Sequence, residues 1–354
     1  MSIWDWDSAS LDKLSAFLEG RGITRGRVTT RGIGDGHSNL TYLVSDGFDN
    51  RVVLRRPPPP PTPPGAHDML REAQFISALA GSSVPVAQCL ATAEAGEVID
   101  VHFYVMSFAQ GPVVTDKMPV ELNTPEICEQ ISINLIDRLA DLHQIDWQEK
   151  GLAGLGKPEG FNARHRRSMA RLVADEAGNP PPHFLPISEW LDAEIPAESG
   201  ATLIHNDYRI GNVILSTEHP GQIKAVLDWE LATLGDPLFD LGYFLGSIPD
   251  GSGVTTPTQE MGVSMLQPGF LDRDALLKRY VNQTGADLTN LSWYEALAQW
   301  KLATLYEYGR RRAERGVGDP YFKGHSAVLS FLQAAHSAAG LPPLSDAIIE
   351  EATA

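Results

Sequence analysis

The chain has 354 residues, 43% of them hydrophobic and 21% charged, with 28 Lys and Arg against 45 Asp and Glu and a formal charge of −17. At roughly 150 residues per domain this length gives about two domains, or one enzyme built as two lobes, with enough apolar content for a core that needs no disulfide or metal. The acidic balance excludes a protein that holds nucleic acid or an anionic membrane surface by bulk attraction, while leaving local basic pockets open. Cys89 and Cys128 show no CxxC spacing and read as buried free thiols. The opening Met1-Ser-Ile-Trp-Asp-Trp-Asp7 lacks the basic and apolar regions of a secretory signal. No apolar run approaches the roughly 18 residues of a spanning helix. The expectation is a cytoplasmic chain with no nucleic acid or membrane partner.

In chain order, Asp7, Ser8 and Ser10 offer N-caps to a short helix with Leu11, Leu14, Phe17 and Leu18 on one face and Gly20 and Gly22 at its end. Three strand-like runs follow. Thr29 to Gly32 enters the glycine cluster Gly32-Ile-Gly-Asp-Gly-His-Ser-Asn39. Leu40 to Val44 leaves it, and Arg51 to Arg56 returns after a turn over 45–50. Pro57 to Pro64 holds seven prolines in eight residues. A stiff extended connector is preferred there over an SH3-type ligand. A helix is predicted over Asp68 to Ala80, with Met69, Ala73, Ile76 and Leu79 at helical spacing. Val98 to Met106 alternates as a strand, and Ser107 to Pro112 is a polar break. Beyond it the pattern becomes helical, with a long helix over Pro125 to Trp147 and others near 271–281, 292–313 and 324–338. Short strands are predicted before His205, over 213–215 and over 223–227. The expected organisation is α+β: an N-terminal lobe over 1–106 with an antiparallel sheet plus a helix, a hinge over 107–112, and a larger mainly helical lobe over 113–354.

The strongest chemical signal is His205-Asn-Asp207-Tyr-Arg-Ile-Gly-Asn212, followed by a predicted hairpin that ends at Leu227-Asp228-Trp229. Asn212 stands at the start of one hairpin strand and Asp228 just past the end of the other. An antiparallel hairpin brings its open ends together, so an amide oxygen and a carboxylate would meet. That is a hard-oxygen pair suited to Mg²⁺, with phosphates completing the shell. Asp207, on the same loop, would orient a substrate hydroxyl and accept its proton. The plainer alternatives are a structural hydrogen-bonding role for His205, which is preferred, and a helix N-cap role for Asp228. Asp236 and Asp240 read as structural supports of the loop.

This arrangement resembles the aminoglycoside phosphotransferase-like kinases, which share the bilobal protein-kinase-like fold. His205 to Asn212 aligns without a gap on the protein-kinase run His-Arg-Asp-Leu-Lys-Pro-Glu-Asn. Asp228 falls where the second metal-binding Asp belongs. The resemblance extends over about residues 28–315 and implies ATP and Mg²⁺ as cofactors, with ATP between the lobes. It puts Arg55, in Val53-Leu-Arg-Arg-Pro57, where a phosphate-binding Lys usually lies, and Glu72 where a helix Glu pairs with it. Ser107 and Ala109, in Met106-Ser-Phe-Ala-Gln-Gly111, fall where backbone groups would bind adenine. Gly34, Gly36 and Ser38 fall in the loop over the phosphates, although the full Gly-x-Gly-x-x-Gly is lacking and a plain hairpin turn fits equally. Arg209 takes the place of the motif Lys, which would touch the γ-phosphate.

Arg in place of Lys keeps charge but changes a point ammonium for a planar fork. Leu54-Arg-Arg-Pro57, Arg71-Glu72 and Leu227-Asp-Trp-Glu-Leu-Ala-Thr-Leu-Gly-Asp-Pro237 are similar to one branch, the kinase domains fused to acyl-CoA dehydrogenases. That branch implies a hydroxyacyl-CoA acceptor, phosphorylated on the acyl hydroxyl. Arg164-His-Arg-Arg167 and Arg310-Arg-Arg312 would then be candidates to meet CoA phosphates, against the plainer reading as solvated helix faces. An aminoglycoside-like acceptor is the rival, since the acidic balance suits a cationic substrate. A non-catalytic nucleotide-binding scaffold is the third reading, and the joint presence of Asp207, Asn212 and Asp228 speaks against it.

Overall fold

A computed structural model describes residues 6–34, 39–59, 67–251 and 255–353. The chain divides into two compact units, one of residues 1–111 and 224–232, the other of 112–223 and 233–354. Among the described residues no helix is long and apolar enough to cross a membrane.

The first unit opens with α1 (Ser8–Glu19), capped by Asp7, whose Oδ1 accepts from the Ser10 N–H at 2.9 Å. It continues through β1 (Thr29–Ile33), β2 (Leu40–Ser45), β3 (Arg51–Arg56), α2 (Met69–Leu79), β4 (Cys89–Ala93) and β5 (Phe103–Ser107). The five strands form one antiparallel sheet in the order β1-β2-β3-β5-β4. Burial alternates along β2, so Leu40, Tyr42 and Val44 share one face and pack with Leu14, Phe17 and Leu18 of α1. Helix α2 is capped by Asp68, and its apolar stripe of Met69, Ala73, Phe75, Ile76 and Leu79 is interrupted by one buried carboxylate, Glu72.

The strand expected over 98–106 begins only at Phe103. Residues 94–102 form turns instead, with Gly96 at φ +90° and its N–H donating to the Ile99 carbonyl at 2.7 Å. The sheet gains β4 in its place, a strand of small residues with no strong pattern of its own. Both cysteines are free thiols.

The second unit contains α3 (Pro125–His143), α4 (Phe161–Val173), α5 (Leu185–Ala193), β6 (Thr202–Ile204) and β7 (Val213–Leu215). Strand β8 (Ile223–Val226) leads from it into the first unit. The second unit resumes with β9 (Thr233–Gly235), α6 (Pro237–Gly246), α7 (Pro257–Glu260), α8 (Arg273–Thr284), α9 (Leu291–Glu314), α10 (Ser326–Ala338) and α11 (Asp346–Thr353). Helix α3 stops at His143, four residues before the expected end at Trp147. There Asp146 Oδ1 accepts from the N–H groups of Gln148 and Glu149, both at 3.0 Å, and bends the chain away.

Helices α6 and α9 pack most closely where Gly242 meets the Tyr294–Glu295 backbone. A Cβ on Gly242 would lie 2.9 Å from the Glu295 nitrogen. Strands β6 and β9 pair antiparallel, with Leu203 opposite Leu234. The fold class is the expected one: an antiparallel sheet with a helix in one unit, and a larger mainly helical unit.

Candidate active site

Within the second unit, β6 delivers the chain into His205 and the loop that ends at β7. Asp240, buried at the start of α6, holds the loop's backbone: its Oδ2 accepts from the His205 N–H at 2.5 Å and its Oδ1 from the Asn206 N–H at 2.6 Å. Asp236 caps the same helix and accepts from the Tyr294 hydroxyl at 2.7 Å. Asp240 is thus the support of the loop expected of it, whereas Asp236 is structural but holds Ser199 and Tyr294 rather than the loop. His205 is fully buried, and its Nδ1 accepts from the Asp207 N–H at 3.2 Å, a structural use of the ring.

Asp207 stands half-buried on the same loop. Tyr243, on α6, donates its hydroxyl to Oδ1. Burial and the nearby Asp207 charge push the Tyr243 pKa well above its ordinary value, which keeps the hydroxyl a donor. Asn212 donates its amide to Asp207 Oδ2 at 2.8 Å and to the Asp207 carbonyl at 2.7 Å. Both amide hydrogens are thus used, and the amide oxygen is left as the acceptor that a hard cation requires. Arg209 folds back, with Nε 3.6 Å from Asp207 Oδ1, and its Nη1 is buried without an acceptor. The turn between β7 and β8 is closed by the Ser216 N–H donating to the Gln222 carbonyl at 2.9 Å.

Within the first unit, Arg55, Glu72 and Asp228 meet. The Arg55 Nη2 donates to Asp228 Oδ1 at 2.9 Å, and its Nε lies 3.5 Å from Glu72 Oε1, an ion pair slightly longer than a good hydrogen bond. Register places Arg55 opposite Tyr104 of β5, so the phenol shares this buried cluster. Burial opposes the Arg55 charge, but the neighbouring acids, Glu72 first and then Asp228, outweigh it and raise the guanidinium pKa. Burial also raises the Glu72 carboxyl, against the pull of Arg55. The planar fork of Arg55 reaches both acids in directions a single ammonium would not span.

Asp228 has φ +64° and makes no side-chain cap bond to the short helical turn 229–231, so the N-cap alternative does not hold. Its Oδ1 is taken by Arg55. Among the described residues no three or more His, Cys, Asp or Glu side chains stand together as a metal cage. Taken one by one, an amide oxygen at Asn212 and a carboxylate at Asp228 are both hard-oxygen donors of the kind Mg²⁺ takes.

Ser107 closes β5, its N–H donating to the Gln88 carbonyl at 2.8 Å, and half-buried Ala109 follows it. Gly34 lies just past β1 at φ +86°. Gly36 and Ser38 lie outside the described residues.

Several contacts were not read from the sequence. Tyr243 is one. Another is the trio Asn39, His67 and Glu230, where Asn39 Nδ2 donates to Glu230 Oε2 at 2.7 Å and its Oδ1 lies 2.8 Å from His67 Nδ1. Arg71 donates to the Ala232 carbonyl at 2.7 Å. Most of the two basic clusters is engaged within the second unit. Arg310 pairs with Glu307 and Glu314, and Arg311 with Glu307. Arg166 pairs with Asp192 at 2.9 Å and lies over the Trp300 ring, while Arg164 donates to the Glu159 carbonyl at 2.6 Å. Neither cluster is a plain solvated face.

Residues 29–294 match the model of the phosphotransferase enzyme family. The chain belongs to this family. This phosphotransferase is 31% identical over 329 residues to acyl-CoA dehydrogenase family member 11 of Homo sapiens, an alignment covering 91% of the chain and 40% of that protein. The chain thus spans about two fifths of the length of that relative. A crystal structure of a Ralstonia eutropha protein assigned as an aminoglycoside phosphotransferase superposes with a TM-score of 0.73 at 27% identity, covering 92% of this chain and 95% of that one. The GDP complex of aminoglycoside 2'-phosphotransferase-IIIa shares the fold at a TM-score of 0.61 and 14% identity, covering 94% and 99%. The phosphotransferase is a small-molecule kinase with an alcohol group as acceptor, on the protein-kinase-like fold.

Proposed function

We propose that the chain transfers the γ-phosphoryl group of ATP, with Mg²⁺, to a hydroxyl of a hydroxyacyl-CoA. The observation that carries the reaction is the Asp207 carboxylate, held by the Tyr243 hydroxyl on one oxygen and the Asn212 amide on the other. A carboxylate so held is oriented before the substrate arrives, which is where much of the rate of phosphoryl transfer originates. Asp207 aligns the acceptor hydroxyl and accepts its proton. Arg55, oriented by Glu72, binds the α- and β-phosphates. Arg209, whose Nη1 has no acceptor, turns toward the γ-phosphoryl group. The backbone at Ser107 and Ala109 takes adenine, and Gly34, Gly36 and Ser38 belong to the loop over the phosphates. Asn212 and Asp228 hold Mg²⁺, which when bound neutralises charge on the transferring group.

The hydroxyacyl-CoA acceptor rests on the relative named for acyl-CoA dehydrogenase. An aminoglycoside-like acceptor is the second reading, favoured by the formal charge of −17 and by the Ralstonia eutropha relative. The engagement of most of the basic clusters within their own unit removes one argument for CoA phosphates. The acceptor then rests on the acyl part and the hydroxyl. Hydroxyacyl-CoAs and kanamycin-like amines offered side by side with Mg²⁺ and ATP separate the two readings. Transfer to the amines with none to the thioesters would overturn the first. ATP binding without transfer to any alcohol would leave a non-catalytic scaffold.

A further inference from the structure

Lys301 lies on α9 with only 2% of its surface exposed. A buried ammonium is costly unless its hydrogens are taken. Its Nζ donates to the Asn206 carbonyl at 2.8 Å and to Asn206 Oδ1 at 2.7 Å. It also stands 5.2 Å from the Tyr243 ring centroid and 5.4 Å from that of Phe239. Asn206 has φ +70°, a left-handed conformation uncommon for any residue except Gly and tolerated best by Asn and Asp.

The charge is not there to stabilise the core. Burial pulls the Lys301 pKa down to about 8 against the opposing charges of Asp207 and Asp240. His165, from α4, is kept neutral by burial and by that same ammonium. Both hydrogen bonds of the ammonium go to Asn206, next to Asp207, and one of its two ring contacts is with the phenol that bonds Asp207.

We infer that Lys301 is a positioning residue: its ammonium locks Asn206 in the left-handed conformation that presents the Asp207 carboxylate to Tyr243 and Asn212. Asp240 fixes the same turn from the other side through two backbone N–H groups, so α6 and α9 grip the loop together. The inference rests on the reading of Asp207 as the residue that meets the acceptor, and the test separates the two.

The test is hydrogen exchange by mass spectrometry on the intact chain, with Mg²⁺-dependent ATP turnover measured alongside, for wild type and Lys301→Met. Met keeps the apolar stem and removes the charge. Amides over 205–212 are expected to exchange about tenfold faster in the variant, while α3 and the rest of α9 keep wild-type rates. Turnover is expected to fall about tenfold or more with KM for ATP changed less than about twofold. Unchanged exchange in the loop, or a rise spread evenly over the unit, overturns the inference.

Should Lys301→Met not fold, Asn206→Gly carries the test. Gly adopts the same φ but lacks the amide oxygen, and Asn206→Asp, which keeps a side-chain oxygen for the ammonium, is its control: exchange over 205–212 faster in the Gly variant than in the Asp variant supports the clamp, and equal exchange in the two overturns it. A wild type without turnover, together with the exchange change in the variant, would sink the role of Asp207 and leave that of Lys301 standing.

Discussion

Asn212 donates its side-chain amide twice to Asp207, once to the backbone carbonyl and once to the carboxylate. The two residues are five apart in sequence, and this pair of hydrogen bonds closes the loop on itself. It also decides which end of the amide faces outward, namely the oxygen. Tyr243 completes the grip on the carboxylate. Tyr243→Phe keeps the ring and removes one hydrogen bond to a charged group, worth about 1.5–3 kcal/mol. The expected result is a kcat lower by roughly tenfold to a hundredfold with the melting temperature little changed. Steady-state kinetics beside a thermal melt checks it.

Arg55 and Glu72 form a buried pair, and removing Arg55 strands the Glu72 carboxylate, whereas removing Glu72 leaves Arg55 paired with Asp228. Arg55→Met is expected to cost the first unit about 3–5 kcal/mol, read from chemical denaturation, and Glu72→Gln less. Arg55→Lys keeps the charge but cannot bridge Glu72 and Asp228 with one fork. A smaller loss of stability and a KM for ATP raised about severalfold are expected. A Lys variant equal to wild type in both would show that the fork is not used.

Gly242 is where α6 meets α9. A methyl group there would press on the Glu295 nitrogen at 2.9 Å and the Tyr294 carbonyl carbon at 3.0 Å, both backbone atoms that cannot rotate away. Gly242→Ala is expected to destabilise by about 1–3 kcal/mol through overpacking. Because α6 carries Asp240 and Tyr243, kcat should fall in the same variant.

Stability should fall on the acid side. Burial, followed by the charges of Lys301 and Arg164, lowers the His165 pKa from 6.5 to about 3. Between those values the unfolded chain binds a proton that the folded chain refuses. Stability present above pH 6.5 is therefore lost as the pH drops toward 3. His67, His183 and His325 shift in the same direction, each chiefly through burial. Melting temperatures from pH 7 to 4 should decline, and His165→Phe should decline less steeply. On the alkaline side Lys301 acts with the same sign. Its pKa is lowered from 10.5 to about 8, so between those values stability gains as the pH rises.

The loop over 205–212 was legible because Asp207 and Asn212 lie within one short motif, and α1, α2 and α9 because their apolar residues recur at helical spacing. Tyr243 and Lys301 were not. They reach the loop from 36 and 95 positions along the chain, and no local period encodes such a meeting. In retrospect Lys301 carries one signal, a cation between Trp300 and Leu302 in an otherwise apolar helical stretch. Strand β4 was missed because Cys89, Ala91 and Ala93 are small and pattern weakly, and its place in the sheet comes from pairing with β5. Helix α3 was read too long because nothing in its period announces the turn that Asp146 imposes.

The most direct measurement is transfer of label from γ-labelled ATP to hydroxyacyl-CoA in the presence of Mg²⁺, for wild type and for Asp207→Asn. That substitution removes the base while keeping the side chain's size. Label should appear on the acyl hydroxyl with wild type and fall by about a hundredfold or more with the variant. Equal transfer by the two proteins, or none by wild type to any alcohol offered, would contradict the assignment of Asp207.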